Sequence, residues 1–122
     1  MRAATGSRVP MVAMIGGHLP ARRDGLHAII AEVAWHMGLD RSAITGPCRK
    51  AGLVRARAAI VWIALRLGSR SLNQIGRTLG GRDHSTVRSA WTKAEEELRP
   101  RDPAFRRMTD RLLDHFRDLQ ED

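Results

Sequence analysis

Three adjacent residues with the side chains of an acid, a base and a nucleophile lie in the second half of the chain. Asp83, His84 and Ser85 belong to the segment GGRDHSTV, residues 80–87. The same residue types form catalytic triads, in which the three side chains converge on one reacting atom. Here they begin a helical pattern, and successive residues of a helix point about 100° apart. Because such neighbours cannot align as a proton relay, we predict that the chain is not an enzyme.

Metal and nucleotide motifs are missing from the sequence as well. The five histidines and the single cysteine, Cys48, show neither CxxC nor HExxH spacing, and the glycines form neither GxxxxGK[ST] nor GxGxxG. One cysteine allows no internal disulfide, and no run of 18 apolar residues suggests a membrane span. We therefore expect a cytoplasmic protein with no cofactor, no metal, no nucleotide and no membrane partner.

The charge of the chain points to a polyanionic partner. Its 122 residues include 21 Lys+Arg and 13 Asp+Glu, a formal net charge of +8, and only Lys50 and Lys93 are lysine. A guanidinium group presents a planar fork of donors that suits phosphates and guanine edges. Such a balance is typical of proteins that bind nucleic acid. On charge alone, a second explanation stays open, namely the arginine richness of a GC-rich coding sequence.

The segments around GGRDHSTV have the periodicity of helices. From Asp24 onward, apolar residues recur at steps of three and four. We predict a basic loop at 46–52, because proline and two glycines interrupt regular structure there. Residues 1–23 lack periodicity and are expected to form a flexible basic arm before a single all-α domain at 24–122. The predicted helical segments are 24–38, a short turn at 39–45, 54–67, 71–79, 83–98 and 103–119.

Two of these segments have the pattern of a helix-turn-helix. Ser71 caps a two-turn helix, Gly80 and Gly81 form a tight turn, and Asp83 caps a longer helix. In such proteins the first residues of the second helix contact base edges in the major groove. In the simpler alternative, Asp83 only caps the helix and its neighbours are solvated. The side chains suited to reading bases are those of Asp83, His84, Ser85, Thr86 and, about one turn later, Arg88.

The segment GGRDHSTV resembles the signature of domain IV, the C-terminal DNA-binding domain of the bacterial replication initiator DnaA, whose usual form is GGRDHTTV. The resemblance runs from about Leu26 to the closing helix and includes SLxxIGxxLGGRDHSTV and a basic loop before a long, arginine-led helix. It implies a compact all-α, Trp-repressor-like domain of the DnaA domain IV type. It also implies double-stranded DNA as the partner, bound at the DnaA box.

The resemblance assigns roles to particular residues. It places Asp83, His84, Ser85 and Thr86 on bases in the major groove, and Arg49, in the basic loop, in the adjacent minor groove. We expect phosphate contacts from Lys50, Arg55, Arg57, Ser71 and Leu72. Several departures are plain: a serine at 85, Arg88-Ser89 where the family often has Leu-His, Leu65 for a lysine, and Ala51 for an arginine. Fewer phosphate contacts predict weaker binding and a shallower dependence on salt.

The sequence therefore predicts a free-standing, nucleoid-associated protein that binds sites similar to the DnaA box. It would regulate replication initiation or transcription without ATPase activity. Met1 and an arm unlike the end of an ATPase favour a separate protein over an excised fragment. The alternative is a protein-interaction module that keeps this scaffold and has lost DNA reading. The sequence leaves open which DNA sequence is bound and whether binding represses or activates. It also leaves open the role of the arm, and whether helix 103–119 forms a homodimer or binds another partner.

Overall fold

All the regular structure in the described part of the chain is helical, as predicted. The computed structural model describes residues 25–68 and 70–121. The predicted arm at 1–23 and Asp24, the first residue of the predicted domain, lie outside these residues. In chain order the elements are α1 (Gly25–Met37), α2 (Arg41–Thr45), α3 (Ala51–Leu67), α4 (Leu72–Thr78), α5 (His84–Thr92), a π-helical segment (Lys93–Leu98), α6 (Arg99–Arg101) and α7 (Pro103–Glu121).

Helix α3 is the central element of the core. Every residue from 56 to 64 is buried, including Ile60, Trp62 and Ile63. Helices α1, α5 and α7 pack against it. An aliphatic side chain buried in this way stabilises a fold by about 1.5–3 kcal/mol. The helix predicted at 54–67 is thus present and forms the centre of the core.

The start of α3 differs from the prediction. The helix begins at Ala51, because the Lys50 carbonyl already accepts hydrogen bonds from the backbone N–H groups of Leu53 and Val54, both at 3.0 Å. The basic loop therefore covers residues 46–50 alone. The predicted start at Val54 would place Arg55 and Arg57 in the first helical turn. This placement was wrong, because with the start at Ala51 both residues lie beyond that turn. The helix dipole consequently gives no reason for a phosphate next to them.

Several helix boundaries coincide with capping residues. The Asp40 side chain accepts a hydrogen bond from the backbone N–H of Ser42 at 3.0 Å, and that of Asp102 accepts from Phe105 at 3.1 Å. Gly68 ends α3 with a φ of 80°, in the left-handed region that glycine adopts without strain. These residues begin α2 and α7 and end α3 close to the predicted segment boundaries.

Helix α5 continues without a break through the π-helical segment into α6. It thus extends past the predicted end at 98, to Arg101, and its turns widen from Lys93 onward. The Trp62 indole N–H donates to the Glu95 carboxylate at 2.8 Å, and the Arg99 guanidinium lies 4.0 Å from the centre of the Trp62 ring. These contacts attach the C-terminal end of this continuous helix to α3. The first turn of α5, at the other end, is thereby held in position relative to the core.

Candidate nucleic-acid interface

Helix α4 begins at a complete capping box. The Ser71 hydroxyl accepts a hydrogen bond from the Gln74 backbone N–H at 3.1 Å, and the Gln74 side chain accepts from the Ser71 backbone N–H at 2.8 Å. Ile75 and Leu79 are buried beneath the helix. This arrangement directs the first turn of α4, where Ser71 and Leu72 were predicted to approach phosphate, towards the surface.

Three glycines set the angle between α4 and α5. The Gly76 carbonyl accepts hydrogen bonds from the backbone N–H groups of Gly81 at 3.0 Å and Arg82 at 2.9 Å. A Cβ at Gly76 would overlap the Arg82 carbonyl oxygen, so only glycine permits this approach. Gly80 and Gly81 have φ values of 88° and 83°. The turn is therefore as tight as a helix-turn-helix requires.

The first turn of α5 carries the predicted base-reading residues on an exposed surface. The Asp83 carboxylate accepts a hydrogen bond from the Thr86 backbone N–H at 2.9 Å, and this bond lowers the pKa of Asp83. Val87 is buried and fixes the rotation of the helix. The exposed residues on this part of α5 are Asp83, His84, Ser85, Thr86 and Arg88.

The basic loop presents two cations to solvent. Arg49 and Lys50 are both exposed, in agreement with a role on the surface. Arg49 also lines a cleft of about 660 Å³ between the loop, α3 and α5, together with Thr86 and Lys93. The residue predicted for the minor groove and one predicted for the major groove therefore border the same concave surface.

Arg57 has a different place from the one expected of a phosphate ligand. Only 7% of it is exposed, and its Nε donates to the Ile44 carbonyl at 2.7 Å. Its Nη2 donates to the carbonyls of Ala43 at 3.1 Å and Gly46 at 2.9 Å. Burial, and next the charge of Arg82, lower the pKa of the Arg57 guanidinium. Its hydrogen bonds hold the end of α2 and the start of the basic loop.

Arg55 and the start of α4 complete the predicted phosphate set. The Arg55 guanidinium forms an ion pair with Asp102 at 2.6 Å and lies 5.4 Å from the centre of the Phe105 ring. It thus joins α3 to α7. The Ser71 hydroxyl is engaged in the capping box, and Leu72, partly buried, has its backbone at the first position of α4. Of the five residues predicted to contact phosphate, Lys50 is the one whose charged side chain is exposed.

Arg82 is the residue that sequence reasoning missed. Its Nη2 donates to the Gly46 carbonyl at 2.7 Å, and its Nη1 donates to the Leu79 carbonyl. The sequence did contain a signal, because an arginine stands between the turn glycines and the capping Asp83 in GGRDHSTV. Its partner is 36 positions away, however, and no local pattern indicates that contact.

Other kinds of site are absent from the described residues. Within 25–68 and 70–121, no three His, Cys, Asp or Glu side chains come together as a metal site would require. Over the same ranges, no helix combines the length and the hydropathy needed to cross a bilayer.

Known proteins are similar to this chain in sequence. Residues 26–94 match the family model described as the bacterial dnaA protein helix-turn-helix. Three similar relatives are each named chromosomal replication initiator protein DnaA. The one from Caulobacter sp. (strain K31) is 37% identical over 95 residues, which are 76% of this chain and 19% of the relative. Those from Herpetosiphon aurantiacus and Thermus thermophilus are 37% identical over 70 residues and 41% identical over 68 residues.

These matches cover a limited part of the relatives. The aligned region is 57% of this chain and 15% of the Herpetosiphon protein, and 56% of this chain and 16% of the Thermus protein. The chain thus spans less than a fifth of the length of any of the three. What they share is the helix-turn-helix region with the helices that support it.

Proposed function

The chain belongs to the family of the bacterial DnaA helix-turn-helix, a DNA-binding domain, and on that premise we propose that it reads specific double-stranded sites similar to the DnaA box. The observation that carries the proposal is the exposed first turn of α5 beside the exposed basic loop. In proteins with a helix-turn-helix, that turn enters the major groove. An exposed cation of the basic loop can then contact the DNA backbone or enter the adjacent minor groove.

The proposed major-groove contacts use four different chemistries. The Asp83 carboxylate stays ionised at neutral pH and accepts from cytosine N4, while it also caps α5. The His84 imidazole and the Ser85 hydroxyl add donors and acceptors, and the Thr86 methyl suits the thymine methyl group. Arg88, one turn further along, is suited to guanine O6 and N7 or to a phosphate. Each good base contact contributes about 1–3 kcal/mol of discrimination.

The proposed contacts outside the major groove are fewer than the arginine count suggests. Arg49 is assigned to the minor groove, and Lys50 and the backbone N–H of Leu72 to phosphates. Arg57 supports the loop from inside the protein, since its guanidinium donates to three carbonyls. Arg55 would have to leave Asp102 in order to reach DNA. We therefore propose a smaller phosphate set than the sequence predicted.

The proposed role is regulatory. A domain that occupies DnaA-box-like sites would compete with an initiator for them or control a promoter that contains them. Support comes from the relatives, which are named as chromosomal replication initiators. ATP hydrolysis is not part of the proposal, because the sequence has no GxxxxGK[ST] loop. The protein-interaction module remains the competing function, and it predicts no preference among DNA sequences.

Fluorescence anisotropy tests the proposal directly. A labelled duplex with a DnaA box is compared with a scrambled duplex of equal composition, at two salt concentrations. We expect the box to bind at least about tenfold tighter, or roughly 1.4 kcal/mol. The double variant H84A/T86A should bind both duplexes alike, whereas H27A, on the exposed surface of α1, should keep the preference.

Other outcomes separate the competing explanations. A second outcome is that the two duplexes bind equally, with an affinity that falls steeply as the salt concentration rises. That result would indicate either purely electrostatic contact with phosphates or a changed target sequence. A lack of binding to either duplex at low salt would reject DNA binding and favour the protein-interaction module.

A further inference from the structure

The carbonyl oxygen of Gly46 accepts hydrogen bonds from two arginines of different elements. Arg57 reaches it from α3 at 2.9 Å, and Arg82 reaches it from the helix-turn-helix turn at 2.7 Å. A carbonyl oxygen has two lone pairs, so this one is fully used, and both bonds are charge-assisted. We call this pair of hydrogen bonds the Gly46 anchor.

Backbone packing brings the same two segments together. A Cβ at Gly80 would overlap the Thr45 carbonyl oxygen and lie 3.0 Å from the carbonyl carbon. The turn before α5 therefore lies directly against the residue that precedes Gly46. The Arg82 Nη1 also donates to the Leu79 carbonyl, which holds its guanidinium across this turn. The basic loop and the start of α5 thus form one connected unit.

The anchor limits where Arg49 can lie. Arg49 follows Gly46 by three positions, and three residues span at most about 10–11 Å. On the other side of the anchor, Arg82 directly precedes Asp83, the cap of α5. Arg49 and Thr86 border the same cleft. A displaced Gly46 would therefore change the separation between the two residues that are proposed to enter different grooves.

We propose that Arg82 is a positioning residue, which couples minor-groove contact by Arg49 to major-groove reading by α5 through its hydrogen bond to the Gly46 carbonyl. The inference rests on the proposed function, since it concerns how two sets of DNA contacts are held together. It gives Arg82 no phosphate contact, because its guanidinium donates to two carbonyls and is partly buried.

The first test needs no DNA. Cys48 is the only cysteine of the chain and is exposed two residues after Gly46, so a nitroxide spin label on it reports the motion of the loop. We expect the electron paramagnetic resonance lines to narrow in R82Q and also in R82K, since lysine keeps the charge but loses the planar fork. R117Q removes an equal charge from the exposed surface of α7 and should leave the lines unchanged.

The second test is a double-mutant cycle on DNA affinity. In the wild-type background, R49A should weaken binding to the box duplex about fivefold or more, as expected for one base contact. In the R82K background the same change should have less than about half that effect, because Arg49 is no longer held in place. A direct phosphate contact by Arg82 predicts instead that R82K binds like the wild-type protein and that R49A keeps its full effect.

The outcomes distinguish a failure of the positioning role of Arg82 from a failure of the proposed DNA binding. Circular dichroism first establishes that R82K and R82Q keep the helical content of the wild-type protein. An unchanged label in R82K, or an unchanged effect of R49A, overturns the positioning role while DNA binding stands. If the wild-type protein itself does not prefer the box, the proposed function fails, and the coupling fails with it.

Discussion

Replacing Gly76 with alanine should destabilise the protein, although alanine is the better helix former. The new Cβ would overlap the Arg82 carbonyl oxygen and lie 3.1 Å from its carbonyl carbon and 3.3 Å from the Val87 Cγ2. The backbone of the turn must move away, which breaks the hydrogen bonds from Gly81 and Arg82 to the Gly76 carbonyl.

The size of this effect follows from three contributions. Two lost hydrogen bonds cost about 2 kcal/mol, and the displaced packing costs about 1–3 kcal/mol. The helix propensity of alanine returns about 1 kcal/mol. We therefore expect the free energy of unfolding to fall by about 2–4 kcal/mol, which is a large part of the stability of a domain of this size.

Gly52 provides a matched control on the same fold. It lies in the first turn of α3, and a Cβ there would meet no atom within 4 Å. G52A should therefore raise the free energy of unfolding by a few tenths of a kcal/mol to about 1 kcal/mol. Urea unfolding followed by circular dichroism measures both variants. The reasoning is refuted if G76A is as stable as the wild-type protein, or if the two variants change stability in the same direction.

Three further changes test other contacts by urea unfolding. R57M removes three hydrogen bonds to backbone carbonyls at about 1 kcal/mol each, a loss of about 3 kcal/mol, and a loss below about 1 kcal/mol would contradict the loop-holding role. R99L removes the cation over Trp62, 4.0 Å away, together with the ion pair to Asp110 at 2.9 Å and the hydrogen bond to the Thr109 hydroxyl at 2.7 Å. It should lose at least about 1–2 kcal/mol, and an unchanged free energy of unfolding would contradict a stabilising role for all three contacts. Hydrogen bonding, first of all from the Thr86 backbone N–H, depresses the pKa of Asp83 in the folded protein. The Asp83 carboxylate therefore stabilises the fold in full above about pH 4, near the pKa of aspartate in the unfolded chain. This stabilisation is lost as the pH falls through the pKa of the folded state. D83S keeps a capping oxygen without that titration, so its acid sensitivity should be smaller, and an equal sensitivity would contradict the assignment.

Local chemistry made most of the fold predictable. Capping residues such as Asp40, Ser71 and Asp83 act within three residues of themselves, so their hydrogen bonds can be inferred from spacing. The same holds for the glycine turn. The exposed first turn of α5 follows from these local signals, because its cap and its one buried side chain, Val87, fix which side chains face outward.

Contacts between distant residues were not predictable in this way. Arg55 meets Asp102 across 47 positions, and Arg82 meets Gly46 across 36. Sequence reasoning treated these arginines as exposed charges or gave them no role, since a guanidinium suits a carbonyl as well as a phosphate. The π-helical segment from Lys93 also escaped prediction, and within it Glu95 accepts a hydrogen bond from the Trp62 indole, 33 positions away.

The internal contacts change how the positive charge of this protein should be interpreted. A net charge of +8 suggests an extensive phosphate-binding surface, and each phosphate contact would add to the dependence of affinity on salt. Yet Arg55 pairs with Asp102, and the guanidinium groups of Arg57 and Arg82 donate to backbone carbonyls. We therefore expect these arginines to stabilise the scaffold and to add little to the salt dependence of DNA binding. The salt dependence should therefore be set by the exposed cations near the cleft, Arg49, Lys50 and Arg88, and sequence preference by the shape that the internal arginines maintain.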